Sequence, residues 1–166
     1  MIQSKSTLYK NNFWLLALEG TFVMAAISFF SSSTIIPVFI NTMTNSKQLV
    51  GLTITLGSFF MYLGRLLIGP FIPHIKNHAK FSTTLMFMTR PILLLPALFI
   101  FIGLTKASVI ALIAAYAIFW LCDGAVVPPW SEVLANTVDE QRQGRLLGWQ
   151  MFLGGLAGIG NGALIN

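Results

Sequence analysis

Five apolar runs of helix length constrain this chain more than any other feature. They cover about 13–40, 48–72, 82–104, 107–135 and 146–165. Each meets or exceeds the ~20 residues with which an α-helix crosses a bilayer. In hydrocarbon every backbone N–H and C=O needs a partner within the protein, which leaves helical bundles or closed barrels. The runs are long and do not alternate, so they exclude a barrel. The expected fold is all-α: a polytopic membrane bundle of five transmembrane helices in a single membrane domain, 1–166.

The surface this composition can make agrees. The chain is 55% hydrophobic and 9% charged, whereas soluble domains are about 25% charged. Its solvent is therefore the lipid bilayer. The net charge of +5 raises the question of nucleic acid, and the placement of the cations answers it. Lys5 and Lys10 precede the first run, Lys76 and Lys80 follow the second, and Arg142 and Arg145 follow the fourth. Only Lys47 and Lys106 occupy the other two connections. The positive-inside rule then puts the N-terminus and the 73–81 and 136–145 loops in the cytoplasm. The protein is expected in the cell membrane as a multi-pass protein, with no nucleic-acid partner. The first run exceeds the ~7–15-residue core of a signal peptide and reads as an uncleaved helix. The lone Cys122 lies within a run and cannot form an internal disulfide.

The connections are short, so successive helices should be antiparallel neighbours. The third run is almost uniformly Leu, Ile, Phe and Met and reads as lipid-facing. The second places Thr55, Ser58, Tyr62, Arg65 and Gly69 at helical spacing on one face. The fourth carries Tyr116, Asp123 and Trp130, with Trp120 close by. The fifth carries Gly154, Gly158 and Gly162, a ridge that lets another helix approach closely. Pro37, Pro91, Pro96, Pro128 and Pro129 fall within runs and favour kinks; the Pro128–Pro129 pair should bend the fourth helix near its inner end.

Five ionisable residues lie inside runs: Glu19, Arg65, Arg90, Asp123 and Glu132. A charge at mid-bilayer costs about 2.5–3.5 kcal/mol even on the lenient insertion scale, so such groups face protein or water and find partners. Counting helix rise puts Glu19, Arg65, Arg90 and Glu132 within roughly 6–12 Å of the cytoplasmic edge. Their expected pairing is Arg65 with Glu132 and Arg90 with Glu19, as an inner gate. Asp123 stands near mid-membrane. It is a proton carrier, a binding group for a cation, or a structural hydrogen-bonding residue. His74 and His78 sit four apart but lack a third donor and are flanked by Lys76 and Lys80, so no metal is expected. No nucleophile–base motif, phosphate loop or dinucleotide fingerprint is present, so no cofactor is expected and the chain does not read as an enzyme.

Three stretches resemble the N-terminal half of a major facilitator superfamily transporter, helices one to five. One is Ser33-Thr-Ile-Ile-Pro37 at the outer end of the first run. Another is Leu63-Gly-Arg-Leu-Leu-Ile-Gly-Pro70 leading into a short basic loop, the place of that family's signature between helices two and three. The third is Val127-Pro-Pro-Trp-Ser-Glu132 followed by Arg142-Gln-Gly-Arg-Leu-Leu-Gly148. In the signature loop Gly69 and Pro70 fit, Lys76 stands where the family has its second Gly, and Lys80 keeps the general basic character. Pro73 and His74 stand where the family has Asp and Arg. The resemblance implies that the first and fourth helices line a central cavity, with Glu19, Tyr116, Trp120 and Asp123 as cavity or coupling residues. It implies cytoplasmic gate charges at Arg65, Arg90, Glu132 and Arg142, with Glu132 a possible partner for Arg142. It also implies that the second and fifth helices, with the Thr55–Gly69 stripe and the glycine ridge, meet the other half of the transporter. Arg90, on an outer helix, would have to point inward.

The expected function is movement of an unidentified small solute by alternating access, as a secondary transporter. The chain is expected to be a truncated or partial form, inactive without a missing transporter half or partner membrane helices. The alternative is a small complete membrane protein serving as a subunit or scaffold for another.

Overall fold

A computed structural model describes the backbone of residues 5–29 and 35–165, and the side chains of 12–28, 36–104 and 106–160. Every regular element among them is helical. In chain order they are α1 (Lys5–Phe29), α2 (Ile35–Thr44), α3 (Lys47–Ile68), α4 (His78–Thr89), α5 (Leu95–Phe101), α6 (Thr105–Thr137) and α7 (Glu140–Ile165). A 3-10 segment, Gly69–His74, extends α3, and another, Arg90–Leu94, joins α4 to α5. The all-α membrane fold is as expected. Among the described residues three stretches are long and apolar enough to cross a bilayer: Lys47–His74, His78–Phe101 and Lys106–Thr137. They are the second, third and fourth runs. The first run falls on α1 and α2, and the fifth on α7. Residues 30–34 lie outside the described set, and with them part of the Ser33–Pro37 stretch.

Local chemistry sets the helix ends. Asn45 closes α2 with φ 52°, its N–H donating to the Asn41 carbonyl at 2.8 Å. Ser46 Oγ then accepts from the Leu49 N–H at 3.3 Å and caps α3. Asn77 Oδ1 caps α4 through the Lys80 N–H at 2.9 Å. Gly103, at φ 79°, ends α5, and the Leu104 N–H reaches back to the Phe99 carbonyl at 2.9 Å. Buried Ser108 donates to the Pro96 carbonyl at 2.9 Å and ties α5 to α6. Pro91 and Pro96 cannot donate to the ladder; the helix tightens to 3-10 geometry at Pro91, and Pro96 falls in the first turn of α5. α6 behaves differently. It stays helical from Thr105 to Thr137 through both Pro128 and Pro129, although these withhold N–H donors from the carbonyls of Gly124 and Ala125.

The chain packs as two units, Met1–Ile35 with Leu134–Asn166, and Ile36–Val133. In the first, α7 lies along α1. Gln150 covers Gly20, Gly154 meets Met24, and Gly158 meets Ser28. Both partners advance by four residues at each step, so the two helices run parallel. Buried Gln150 donates from Nε2 to the Leu16 carbonyl at 2.8 Å. Below that bond Ala17, Val138 and Leu146 form a small core, with Phe13, Leu16 and Leu134 packed on it.

The Gly154–Gly158 face packs against α1 within the chain. The glycines let α1 and α7 approach closely, and what α7 leaves exposed is its other side: Met151, Phe152, Leu156 and Ile159. Gly162 lies outside the described side chains.

In the second unit α6 is the central helix, with Ala115, Tyr116, Phe119 and Val126 each at most 4% exposed. α3 packs along it. A Cβ on Gly57 would meet the Tyr116 and Trp120 rings, one on Gly64 would run into the Leu121 carbonyl, and one on Gly124 would run into the Met61 carbonyl. Residue numbers rise together on both helices, so α3 and α6 are also parallel. The α4–α5 stretch is antiparallel to α6, as Pro96 with Ser108 and Arg90 with Phe119 show. Alternation across short connections gives this pattern: neighbours in sequence oppose, and helices two connections apart align. The third run is outermost, with Phe87 79% and Phe101 89% exposed.

Candidate functional site

The second unit holds four of the five in-run charges, and three of them interact. Asp123 sits on α6, half-buried, one residue before the glycine at which α3 crosses closest. Arg65 follows Gly64 on α3, and Arg90 stands where α4 gives way to the 3-10 segment. Both arginines interact electrostatically with the Asp123 carboxylate. Each is also steered by an aromatic ring. The Arg65 guanidinium carbon lies 5.6 Å from the Tyr62 ring centre, and that of Arg90 lies 5.9 Å from the Phe119 ring centre. Such cation–π contacts hold a guanidinium in place where water is scarce. Arg90 therefore points from the outer helix towards α6, as a charge on a lipid-exposed helix must.

Local sequence explains the geometry. Gly57, Gly64 and Gly124 remove the side chains that would hold α3 away from α6, and backbones in membrane bundles approach most closely at such residues. Thr53, fully buried on the same face, turns its hydroxyl back to the Leu49 carbonyl at 2.8 Å and presents its methyl group to the seam. The polar stripe on α3 is a different face. Thr55, Ser58, Tyr62, Arg65 and Gly69 are all exposed.

Above the charges lies an aromatic group. Tyr116 and Phe119 are buried, and both meet the Trp120 ring edge to face, with centroids 5.9 and 5.5 Å away. The Trp120 indole N–H is buried without an acceptor among the described residues. Buried donors are nearly always satisfied, so this one is available to a polar atom. Asp123, Trp120 and Tyr116 are the residues that the sequence reading singled out here. The Thr53–Gly57–Gly64 seam was not singled out, although Gly57 and Gly64 stand seven residues apart, and Phe119 was missed because a phenylalanine in an apolar run carries no signal.

The other expected site residues are placed elsewhere. Glu19 is half-buried on α1 in the first unit, and Glu132 is exposed nine residues beyond Asp123 on α6. Arg142 forms an exposed ion pair with Asp139, 3.7 Å away and three residues earlier. In the basic loop Gly69 and Pro70 begin the 3-10 turn, and Lys76 and Lys80 are exposed. His78 Nε2 lies 3.3 Å from the Ile72 carbonyl, so its ring serves the loop. Among the described residues no three His, Cys, Asp or Glu cluster as metal ligands.

Residues 2–160 match the family profile described as Major Facilitator Superfamily. No curated protein and no solved structure gives a match.

Proposed function

The chain belongs to the major facilitator superfamily, whose members are transporters, and from that premise we propose that it moves a small solute across the cell membrane by alternating access. α6 and α3 supply one wall of the path, and the exposed Thr55–Gly69 stripe faces the helices that complete it. The observation that carries this reading is the buried Trp120 N–H, without an acceptor among the described residues and one helical turn before Asp123 on α6. With two guanidiniums to one carboxylate, the cluster favours a solute bearing an anionic group over a cation. Arg65 with Glu132, both in the second unit, is proposed as a pair of an inner gate.

The test uses Asp123→Cys in a Cys122→Ser background. A charged methanethiosulfonate reagent applied from each side of the membrane should label the cysteine, because an alternating path opens to water. No labelling from either side, with labelling intact at exposed control positions, would sink the proposal. A thermal-shift screen with small anions and cations should show stabilisation by an anion, and Arg90→Gln should abolish it.

A further inference from the structure

Because α1 and α7 run parallel and in step, their N-terminal ends start together. Phe13 and Trp14 open the first apolar run, and Arg142 and Arg145 stand just before the fifth. The sequence thus sets both pairs at a border between water and hydrocarbon, and the structure closes them round one cavity of about 250 Å³ lined by Phe13, Trp14, Arg142 and Arg145. Beside it runs a groove of about 330 Å³ lined by Arg145, Gly148, Trp149 and Phe152. Arg145 belongs to both. A row of rings follows the same line, Phe13 to Trp14 at 5.6 Å, Trp14 to Trp149 at 6.0 Å, and Trp149 to Phe152 at 6.2 Å.

We propose that this is a binding site for one anionic phospholipid of the leaflet that the N-terminal ends of α1 and α7 face. The phosphate sits between the two guanidiniums, and an acyl chain follows the Gly148–Trp149–Phe152 groove. Guanidinium presents a fork of donors that matches phosphate oxygens. Tryptophan favours the headgroup level, where its ring is half apolar and its N–H meets water. A Cβ on Gly148 would meet nothing within 4 Å, so the groove floor is open for a chain to lie on. The Asp139 contact engages Arg142 through Nε and leaves the terminal N–H groups of the fork for an anion. Asp139 and Glu140 are the carboxylates that face this end of α7 in sequence, and both are exposed. A free phosphate fills the first cavity and leaves the groove unused, which is why the lipid is the occupant.

Native mass spectrometry of the full chain released from nanodiscs tests this. With equal phosphatidylglycerol and phosphatidylcholine, retained lipid should favour the anionic species about thirty-fold, on the scale of two basic residues at a membrane surface. Arg142→Gln with Arg145→Gln should bring the ratio near parity, whereas Lys76→Gln with Lys80→Gln should leave it unchanged. Gly148→Leu fills the groove without altering charge or any packed contact, and should lower retention several-fold. Parity in the unmodified chain, or equal loss with the lysine pair, would overturn the site in favour of diffuse surface charge. Undiminished retention in Gly148→Leu, or displacement by millimolar glycerol phosphate, would overturn the lipid assignment. Should the double arginine variant fail to fold, Gly148→Leu decides alone.

Discussion

Replacing Gly64 by alanine tests the seam on which the charged cluster depends. Its Cβ would run into the Leu121 carbonyl oxygen and press on the Ala125 nitrogen. Both are backbone atoms of α6 and cannot rotate away, so the helices must separate by roughly an ångström. Overpacking of this kind costs about 1–3 kcal/mol. The gain in helix propensity from Gly to Ala, up to ~1 kcal/mol, opposes it, leaving a net loss of about 1–2 kcal/mol. Gly124→Ala should cost a similar amount, because its Cβ would run into the Met61 carbonyl. The same separation relieves both clashes, so the double variant should cost clearly less than the sum of the singles. Gly51→Ala is the control. It lies in α3 with nothing within 4 Å of its Cβ, and should be neutral or stabilising. Stability would be read from denaturant titration in bicelles, following tryptophan fluorescence, since Trp120 lies in the seam. If Gly64→Ala matched Gly51→Ala in sign and size, the close approach of α3 to α6 would be refuted.

Further outcomes follow from other contacts. Gln150→Leu removes the bond to the Leu16 carbonyl and should cost about 0.6–1.7 kcal/mol, the range for side-chain bonds in membrane bundles. Gly20→Ala should be costlier in the parent than in a Gln150→Ala background, because the Gln150 side chain occupies the space; equal costs would show that it lies elsewhere. Asn77→Ala removes the α4 cap and should cost about 1 kcal/mol, seen as faster amide exchange at Lys80 and Phe81 with the other helices unchanged. Exchanging Arg65 and Glu132 should restore insertion lost by either reversal alone, if those two form a gate pair; failure of the double variant to recover would dismiss it.

Much of the helical layout was legible in the sequence, because membrane helices are set by length and hydropathy, and both are local. The runs at 48–72, 82–104 and 107–135 return as α3, α4–α5 and α6, and Arg90 had to turn inward because lipid gives a charge no partner. Faces were harder to read. The Thr55–Gly69 stripe drew the reading, whereas α3 packs on α6 through Thr53, Gly57 and Gly64, about 140° round the helix. Polarity draws the eye, but in lipid a close contact depends on the absence of side chains, and glycine leaves no periodic signal as strong as a row of hydroxyls.

The sequence by itself determined that this chain is an all-α membrane protein. That follows from solvent and backbone hydrogen bonding, and needs no knowledge of neighbours. Only the tertiary structure decided that α1 pairs with α7 and α3 with α6, each parallel, and that Asp123 shares its surroundings with Arg65 and Arg90. Such partners are tens of residues or more apart in the chain, and no local pattern records which surfaces fit. Shape at the glycines chooses the partner and the register, and the register places the charges.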